Sequence, residues 1–331
     1  MSTDGVGRPG GPGRPGREIA SRALGVGVRG LRRASERLAA AGQRLNLRVY
    51  ARQVYRPRPD DIFVVTYPRS GTTWLQMLLY QLTTDGDLDF PHISDPVPWF
   101  ERLSVSGRDI EAMPSPRVFK SHLAVGEVPH GPCRYIYSAR DPADVAVSYF
   151  HFHRSHLGFT GDFDEFFELF LAGKVENGAW ADHVAGWWER RNEPGVLFFS
   201  YEDARAEPER YLDIIARFCG IPVPAGARAR ILERSSLEFM KARESLFDPL
   251  YEALWELGVA PGGSPRPGAE IEPGALNREQ ASRMDEALRR SVGLTRSELR
   301  AMAGGRADGA GLPSSSRSRK VRVAPIESGG A

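Results

Sequence analysis

The chain contains 331 residues, of which 41% are hydrophobic and 26% are charged, and this composition excludes a largely disordered protein. The longest dense apolar runs are as short as Ile62 to Val65, whereas a membrane-spanning helix needs about 20 apolar residues. The net charge is +2, but residues 1–58 carry 13 Arg, no Lys and three acidic residues, a net of +10 that leaves −8 on the rest of the chain. An acidic folded body is not expected of an enzyme that acts on nucleic acid, so we predict no nucleic-acid partner.

The chain begins with a basic arm. Its first 17 residues are mostly Gly, Pro and Arg, which predicts disorder. From about Ile19 to Leu45, leucines and a valine at helical spacing alternate with arginines, so we expect a basic amphipathic helix there, closed by Pro57 and Pro59. The sequence therefore predicts three parts: a basic, partly disordered arm over residues 1–58, a folded domain over 59–303, and a disordered tail over 304–331.

Within the folded part, short β-branched and aromatic runs alternate with helical patterns. The predicted strands are Ile62–Tyr67, Val118–Lys120, Tyr135–Ala139 and Val196–Ser200. Strands that alternate with helices indicate an α/β fold of three layers, with a central parallel sheet and helices on both faces. Near the end of the chain, Asn277 with Gln280 is typical of a capping pair, and it predicts one helix that runs to about Met302.

The first predicted strand leads into a turn that suits an anion. Pro68, Arg69, Ser70, Gly71, Thr72 and Thr73 stand between the strand and a helix that starts near Trp74. A helix N-terminus offers unpaired N–H groups, Gly71 allows close approach of the backbone, and the threonines and Arg69 add donors and charge. A Walker A loop would require Gly-Lys-Ser/Thr, and here Thr follows Gly71.

Four motifs in order resemble those of the cytosolic-type sulfotransferases, which use 3′-phosphoadenosine 5′-phosphosulfate (PAPS). The resemblance covers about residues 60 to 300 and implies the P-loop-like sulfotransferase fold. It rests on a phosphosulfate-binding loop, a catalytic-histidine strand end, a 3′-phosphate motif and a tyrosine near adenine. In this chain they read Thr66-Tyr67-Pro68-Arg69-Ser70-Gly71-Thr72-Thr73-Trp74, Phe119-Lys120-Ser121-His122, Arg140-Asp141-Pro142-Ala143-Asp144-Val145-Ala146-Val147-Ser148-Tyr149 and Phe199-Ser200-Tyr201-Glu202-Asp203.

The resemblance implies sulfuryl transfer from PAPS to a hydroxyl group, with release of 3′-phosphoadenosine 5′-phosphate (PAP) and no metal. It implies His122 as the general base, with Lys120 and Arg69 as further catalytic residues. The residues implied in donor binding are Arg69, Ser70, Gly71, Thr72 and Thr73 at the 5′-phosphosulfate, Arg140 and Ser148 at the 3′-phosphate, Trp74, Tyr201 and Leu237 at adenine, and Arg266 with Gly268 in a closing segment.

Three positions depart from the pattern of the family. Arg69 stands where many animal members have a catalytic Lys, and since Arg is often found there in bacterial members, we expect a bacterial member. Leu237 replaces a Phe beside adenine. The closing Arg-Lys-Gly is present only as Arg266-Pro267-Gly268, which puts that closure in question.

Aromatic residues near the histidine motif predict an apolar acceptor site. We expect Trp99, Phe100, Tyr149 and Phe150 to line it, which favours a small-molecule or lipid hydroxyl as acceptor. His151, His153 and His156 do not share one helical face, so we interpret them as structural or pocket-lining and predict no metal site. The sequence does not indicate an oligomeric state.

The cysteines and the basic arm predict a cellular location, and two other functions stay open as alternatives. Cys133 and Cys219 form neither a disulfide framework nor a metal spacing, which fits a reducing cytosol. The arm adds an expectation of weak association with the inner face of an anionic membrane. The alternatives are a non-catalytic sulfotransferase-like protein that binds nucleotide or membrane, and a P-loop nucleotide kinase.

Overall fold

The computed structural model describes residues 38, 41–84, 86–248 and 276–304. It divides into two units, Met1–Tyr55 and Arg56–Ala331. In the first unit, residues 41–49 form helix α1, which continues into a π-helical turn at Tyr50–Val54. The predicted helical arm before residue 38, and the predicted tail after residue 304, lie outside the described residues.

The second unit contains a parallel four-stranded sheet. Its strands are β1 (Ile62–Val65), β2 (Val118–Ser121), β3 (Arg134–Ala139) and β4 (Val196–Ser200), in the order β2-β1-β3-β4. Ile62 is in register with Val118 on one side and with Arg134 on the other. The four predicted strands are confirmed, although β1 ends at Val65, two residues before the predicted end, because the chain then enters the turn.

Helices cover both faces of the sheet, as predicted for three layers. On one face Ile62 and Val64 of β1 pack with buried apolar residues of α2 and α8. On the other face the rings of Tyr137 and Trp187 lie 5.7 Å apart and stack. The α-helices formed by the described residues of this unit are α2 (Thr72–Thr83), α3 (Leu103–Ser106), α4 (Pro142–His156), α5 (Phe163–Leu171), α6 (Trp180–Glu189), α7 (Tyr201–Ala206), α8 (Pro208–Cys219), α9 (Arg228–Arg234), α10 (Leu237–Lys241), α11 (Arg278–Val292) and α12 (Arg296–Gly304).

The predicted helix from Asn277 to Met302 is wrong in one respect. Asn277 and Gln280 do form a reciprocal capping box at the start of α11. However, α11 ends at Val292. The residue that follows it, Gly293, has a left-handed φ of 78°, and α12 is a separate helix. Glycine adopts this conformation without the penalty that a Cβ imposes. The break lets α12 pack against β4.

The order of the strands determines where a ligand can bind. From β1 the chain crosses to β2 on one side, and it then returns past β1 to β3 on the other side. Parallel sheets bind ligands at the carboxyl ends of the strands, where the direction of crossing reverses. Here that point lies between the loops after β1 and β3, and these loops carry Arg69 and Arg140. Among the described residues, no helix is long and apolar enough to cross a membrane.

Candidate active site

The loop between β1 and α2 contains two residues in the left-handed backbone conformation. Arg69 and Gly71 have φ values of 68° and 86°, so the backbone turns twice through the left-handed region. The hydroxyl groups of Thr66 and Thr72 are 2.5 Å apart and close the loop across its base. The hydroxyl of Ser70 is buried and has no hydrogen-bond partner among the described residues. The buried hydroxyl of Ser70 thus stands directly before the N-terminus of α2.

Gly71 is required by space as well as by conformation. A Cβ atom at position 71 would lie 2.5 Å from Cε2 of Tyr201. Tyr201 begins α7 directly after β4, and its ring lies 6.4 Å from that of Trp74, with the two rings nearly perpendicular. The close approach of Tyr201 to Gly71 therefore brings two aromatic side chains to this loop.

Two arginines meet beside the same loop. Nε of Arg69 donates to Oγ of Ser148 on α4 at 3.0 Å, and Nη1 of Arg140 donates to the carbonyl oxygen of Arg69 at 2.8 Å. The pKa of Arg69 is lowered by desolvation and then by repulsion from Arg140, although the residue retains exposed surface. Nε of Arg140 is buried without a hydrogen-bond partner among the described residues. Two arginines at adjoining loops and an unused buried donor are features of an anion site.

His122, at the carboxyl end of β2, faces the base of this loop. Its Nδ1 lies 2.8 Å from the carbonyl oxygen of Thr66, and because a carbonyl can only accept, Nδ1 carries the proton. Burial, followed by repulsion from Lys120, lowers the pKa of His122 to about 3. The ring is therefore neutral near pH 7, and Nε2 retains its lone pair.

Lys120 and Trp99 complete the group around His122. The ammonium of Lys120 lies 4.3 Å from the ring centre of Trp99, and the rings of Trp99 and His122 are 5.7 Å apart. Trp99 also forms an isolated parallel bridge with Lys120. An amine, an imidazole and an indole thus share one wall of the site. The predicted catalytic pair lies beside one predicted acceptor residue.

Glu101 is a site residue that the sequence-based analysis missed. Its Oε1 accepts from the backbone N–H of His122 at 2.6 Å, and burial raises the pKa of its carboxyl group. The carbonyl oxygen of His122 is held in turn by Asn177 at 3.2 Å and by His183 at 3.1 Å. These three partners are 21, 55 and 61 residues from His122 in the chain. No motif in the sequence indicated them, because only the fold brings them together.

The other predicted acceptor residues lie deeper than expected. Phe100 has no exposed surface and packs against Phe63 and Phe119 in the core, so its prediction as a lining residue is wrong. Tyr149 is 3% exposed, and its hydroxyl contacts Glu176. Phe150 is 7% exposed and packs against aromatic rings of the segment 159–166.

The remaining predictions fall elsewhere. Arg266 and Gly268 lie outside the described residues, and Leu237 is 46% exposed at the start of α10. His153 pairs with Glu176 at 3.0 Å, which agrees with a structural role. Among the described residues, no group of three or more His, Cys, Asp or Glu side chains could hold a metal ion.

Comparison with known sequences identifies a family. The family model described as the sulfotransferase domain matches residues 59–254, more than half of the chain. Sulfotransferase 1 family member D1 of Rattus norvegicus is 38% identical over 205 residues, which are 58% of this chain and 69% of that protein. Human sulfotransferase 1C2 is 35% identical over 202 residues, which are 57% of this chain and 68% of that protein.

Solved structures agree with the sequence comparison. Mouse sulfotransferase SULT7A1 complexed with PAP aligns with a TM-score of 0.55 and 28% identity, over 74% of this chain and 88% of that one. Retinol dehydratase in complex with androsterone and PAP gives a TM-score of 0.58 over 74% and 85% of the chains. At 23% identity, this second likeness supports the fold alone.

Proposed function

The chain belongs to the sulfotransferase family, and on that premise we propose that it transfers the sulfuryl group of PAPS to a hydroxyl group of an apolar small molecule or lipid. The products are a sulfate ester and PAP. We assign the activity to a domain over residues 59–303, at the carboxyl ends of β1, β2 and β3.

One observation carries the proposal more than any other. Arg69 and Arg140 reach the loop around Gly71 from different strands, and the carbonyl oxygen of Arg69 accepts from Arg140. Desolvation, followed by repulsion from Arg140, lowers the pKa of Arg69, so an anion bound beside both residues would stabilise their charged forms. The buried hydroxyl of Ser70 and Nε of Arg140 have no partner among the described residues, and they fit a multiply charged nucleotide.

The donor carries a 5′-phosphosulfate and a 3′-phosphate, and the site offers a separate position for each. The loop from Arg69 to Thr73 and the N-terminus of α2 suit the 5′-phosphosulfate. Arg140 and Ser148 suit the 3′-phosphate, and the hydroxyl of Ser148 is already fixed by Nε of Arg69 at 3.0 Å. Trp74 and Tyr201, whose rings are 6.4 Å apart, provide aromatic surfaces for adenine.

We assign general-base catalysis to Nε2 of His122. The hydroxyl oxygen of the acceptor attacks sulfur, its proton passes to Nε2, and the bond from sulfur to the 5′-phosphate oxygen breaks with its electron pair remaining on that oxygen. The bond between Nδ1 and Thr66 fixes the tautomer that makes Nε2 the proton acceptor. The negative charges of the donor would raise the pKa of His122 from about 3 toward a more useful basicity.

Lys120 and Arg69 supply positive charge during this step. Negative charge grows on the bridging oxygen as the bond breaks, and fixed cations nearby lower the barrier. Arg69 retains its proton throughout, because a guanidinium does not deprotonate at neutral pH. We therefore give the proton-accepting role to His122 alone.

The acceptor is proposed from the chemistry of the wall beside His122. The indole of Trp99 lies next to the imidazole and offers an apolar face for a ring or an alkyl chain. We propose that Leu237, Arg266 and Gly268 contact the bound donor. We also propose that Tyr149 and Phe150 support the acceptor site from the protein interior. Incubation with ³⁵S-labelled PAPS and a cell extract, followed by identification of the labelled product, would determine the acceptor.

Nucleotide binding tests the donor directly. Calorimetric titration should show that PAP binds far more tightly than adenosine 5′-monophosphate, which lacks the 3′-phosphate. Arg140→Gln should remove this preference, whereas Arg154→Gln, a change at an exposed arginine further along α4, should retain it. Equal affinity of the unmodified protein for both nucleotides would contradict the proposal. Hydrolysis of ATP that requires Mg²⁺ would favour the rival kinase function.

We also propose that the arm associates weakly with anionic membranes. On α1, Leu45 and Val49 are 64% and 41% exposed, and Arg44 and Arg52 are exposed as well. Apolar and cationic side chains on one exposed segment suit a negatively charged interface.

A further inference from the structure

Helix α12 is the last described element, and it reaches the segments after β3 and β4 that carry two of the proposed donor-binding residues. Its apolar side is buried, with Leu299 and Ala303 at 4% and 1% exposure, and it packs along β4. Arg296 and Arg300 stand one turn apart on this helix. Arg296 forms an ion pair with the loop after β3, and Arg300 forms one with helix α7.

Arg296 connects α11 to the loop after β3. Its Nε donates to Oδ1 of Asp285 at 2.9 Å, and its Nη1 lies 3.7 Å from Oδ1 of Asp141. Asp141 is the residue after Arg140, and it caps α4 by accepting from the N–H of Ala143 at 2.8 Å. A shallow cleft lined by Arg140, Asp141 and Arg296 lies beside α12. The contact of Arg296 with Asp141 therefore connects α12 to the residue that follows Arg140.

Helix α7, which follows β4 directly, is joined to the same network. The backbone N–H of Asp141 donates to Oε1 of Glu202 at 2.8 Å, and Glu202 follows Tyr201. Nη2 of Arg300 lies 3.4 Å from Oδ1 of Asp203 in this helix. The guanidinium of Arg140 lies 5.3 Å from the ring centre of Tyr201. A shift of the loop after β3 or of α7 would thus change the distance between Arg140 and Tyr201.

We propose that Arg296 is a positioning residue for the 3′-phosphate of the donor. It holds Asp141, and through Asp141 it sets the backbone from which Arg140 extends. This inference rests on the proposed function, since it assigns a role toward the same donor. A binding residue whose support is loosened loses affinity without any loss of its own chemistry.

The test compares two nucleotides in the full-length protein. Arg296→Gln should weaken binding of PAP about tenfold and change binding of adenosine 5′-monophosphate by less than about twofold. The matched control is Arg290→Gln on α11, which removes an arginine that is 70% exposed and pairs only distantly with Glu286, at 3.8 Å. This control should bind both nucleotides as the unmodified protein does. Equal weakening for both nucleotides, or for neither, would overturn the proposal.

A second variant leaves α12 intact. Asp141→Asn removes the charge that Arg296 meets but retains the oxygen that caps α4. It should weaken PAP selectively, and the double variant should lose no more affinity than the single variant with the larger effect. Additive losses would overturn the proposal. If Arg296→Gln does not fold, Asp141→Asn still tests the proposal, and an unchanged preference for PAP in that variant would overturn it. If the unmodified protein shows no preference for PAP, the proposed donor is wrong, and the role proposed for Arg296 is wrong with it.

Discussion

Replacement of His122 by glutamine should change both turnover and the pH dependence of stability. The imidazole is 9% exposed, and burial together with Lys120 lowers its pKa to about 3, against about 6.5 in an unfolded chain. The unfolded state therefore binds a proton at a pH where the folded state does not. Stability from this group is complete above pH 6.5 and is lost as the pH falls toward 3.

The size of the effect follows from the two pKa values. Between pH 6.5 and pH 5 the unfolded chain takes up the proton over 1.5 pH units, and each unit corresponds to about 1.4 kcal/mol. His122 alone should therefore cost the native protein about 2 kcal/mol at pH 5 relative to pH 8. His92 and His183, whose pKa values burial lowers to about 4, should add losses of similar size.

Urea unfolding at pH 8 and at pH 5 measures this loss. His122→Gln should lose about 2 kcal/mol less between the two values than the unmodified protein does. His92→Gln is the matched control, because its imidazole is also buried and neutral and its Nδ1 accepts from the backbone N–H of Ser94. It should show a similarly reduced pH dependence.

The two variants should differ in catalysis. A positioned general base contributes about 10² to 10⁴-fold to turnover, so His122→Gln should lose kcat to that extent and bind PAP as before. His92→Gln should retain kcat within about threefold. If His122→Gln has the same pH dependence of stability as the unmodified protein, the assignment of a neutral, buried imidazole to His122 is wrong. If its kcat falls by less than about threefold, the assignment as base is wrong.

Three further predictions concern the loop, the 3′-phosphate and the arm. Gly71→Ala should weaken PAP binding in calorimetry, since the new Cβ would lie 2.5 Å from the ring of Tyr201. Position 107 also has positive φ but open space around it, so Gly107→Ala should bind PAP normally. Equal affinity of the two variants for PAP would contradict the close approach of Tyr201. Ser148→Ala should reduce the preference for PAP over adenosine 5′-monophosphate about tenfold, as expected for loss of a hydrogen bond to a charged group, and an unchanged ratio would remove Ser148 from the site. The full-length protein should sediment with anionic liposomes at low salt and less so at high salt; if Arg44→Glu combined with Arg52→Glu sediments equally, the arm does not bind membranes.

The parts of the fold that local sequence determines were predictable. Four strands followed from short β-branched and aromatic runs, because such runs are typical of strands buried on both faces. The capping box of Asn277 and Gln280 was also predicted and is confirmed. The break at Gly293 was not predicted, because a helix-ending glycine and a tolerated interior glycine look alike in sequence.

The site was predictable to the extent that it follows contiguous motifs. The loop from Arg69 to Thr73 could be recognised because strand, turn and helix stand next to one another in the chain. Glu101 and Arg296 were missed because their contacts join distant segments, and each carries an ordinary charged side chain. Phe100 was misplaced for a related reason: an aromatic residue in an irregular segment carries no period that indicates whether it faces the core or a pocket.

The negative balance of the body does not conflict with an anionic donor. Outside the basic arm the sequence carries a net charge of −8, yet the loop before α2 contains Arg69, whose carbonyl oxygen accepts from Arg140. Charges at the surface are largely screened beyond about 8 Å at physiological ionic strength, so the arginines that touch the loop determine its affinity more than the total charge does. Desolvation, followed by repulsion from Arg140, lowers the pKa of Arg69, so the two residues influence each other's charge. In the proposed function the anions of the donor would lie beside these cations and offset their repulsion, so an acidic body is compatible with a highly charged nucleotide.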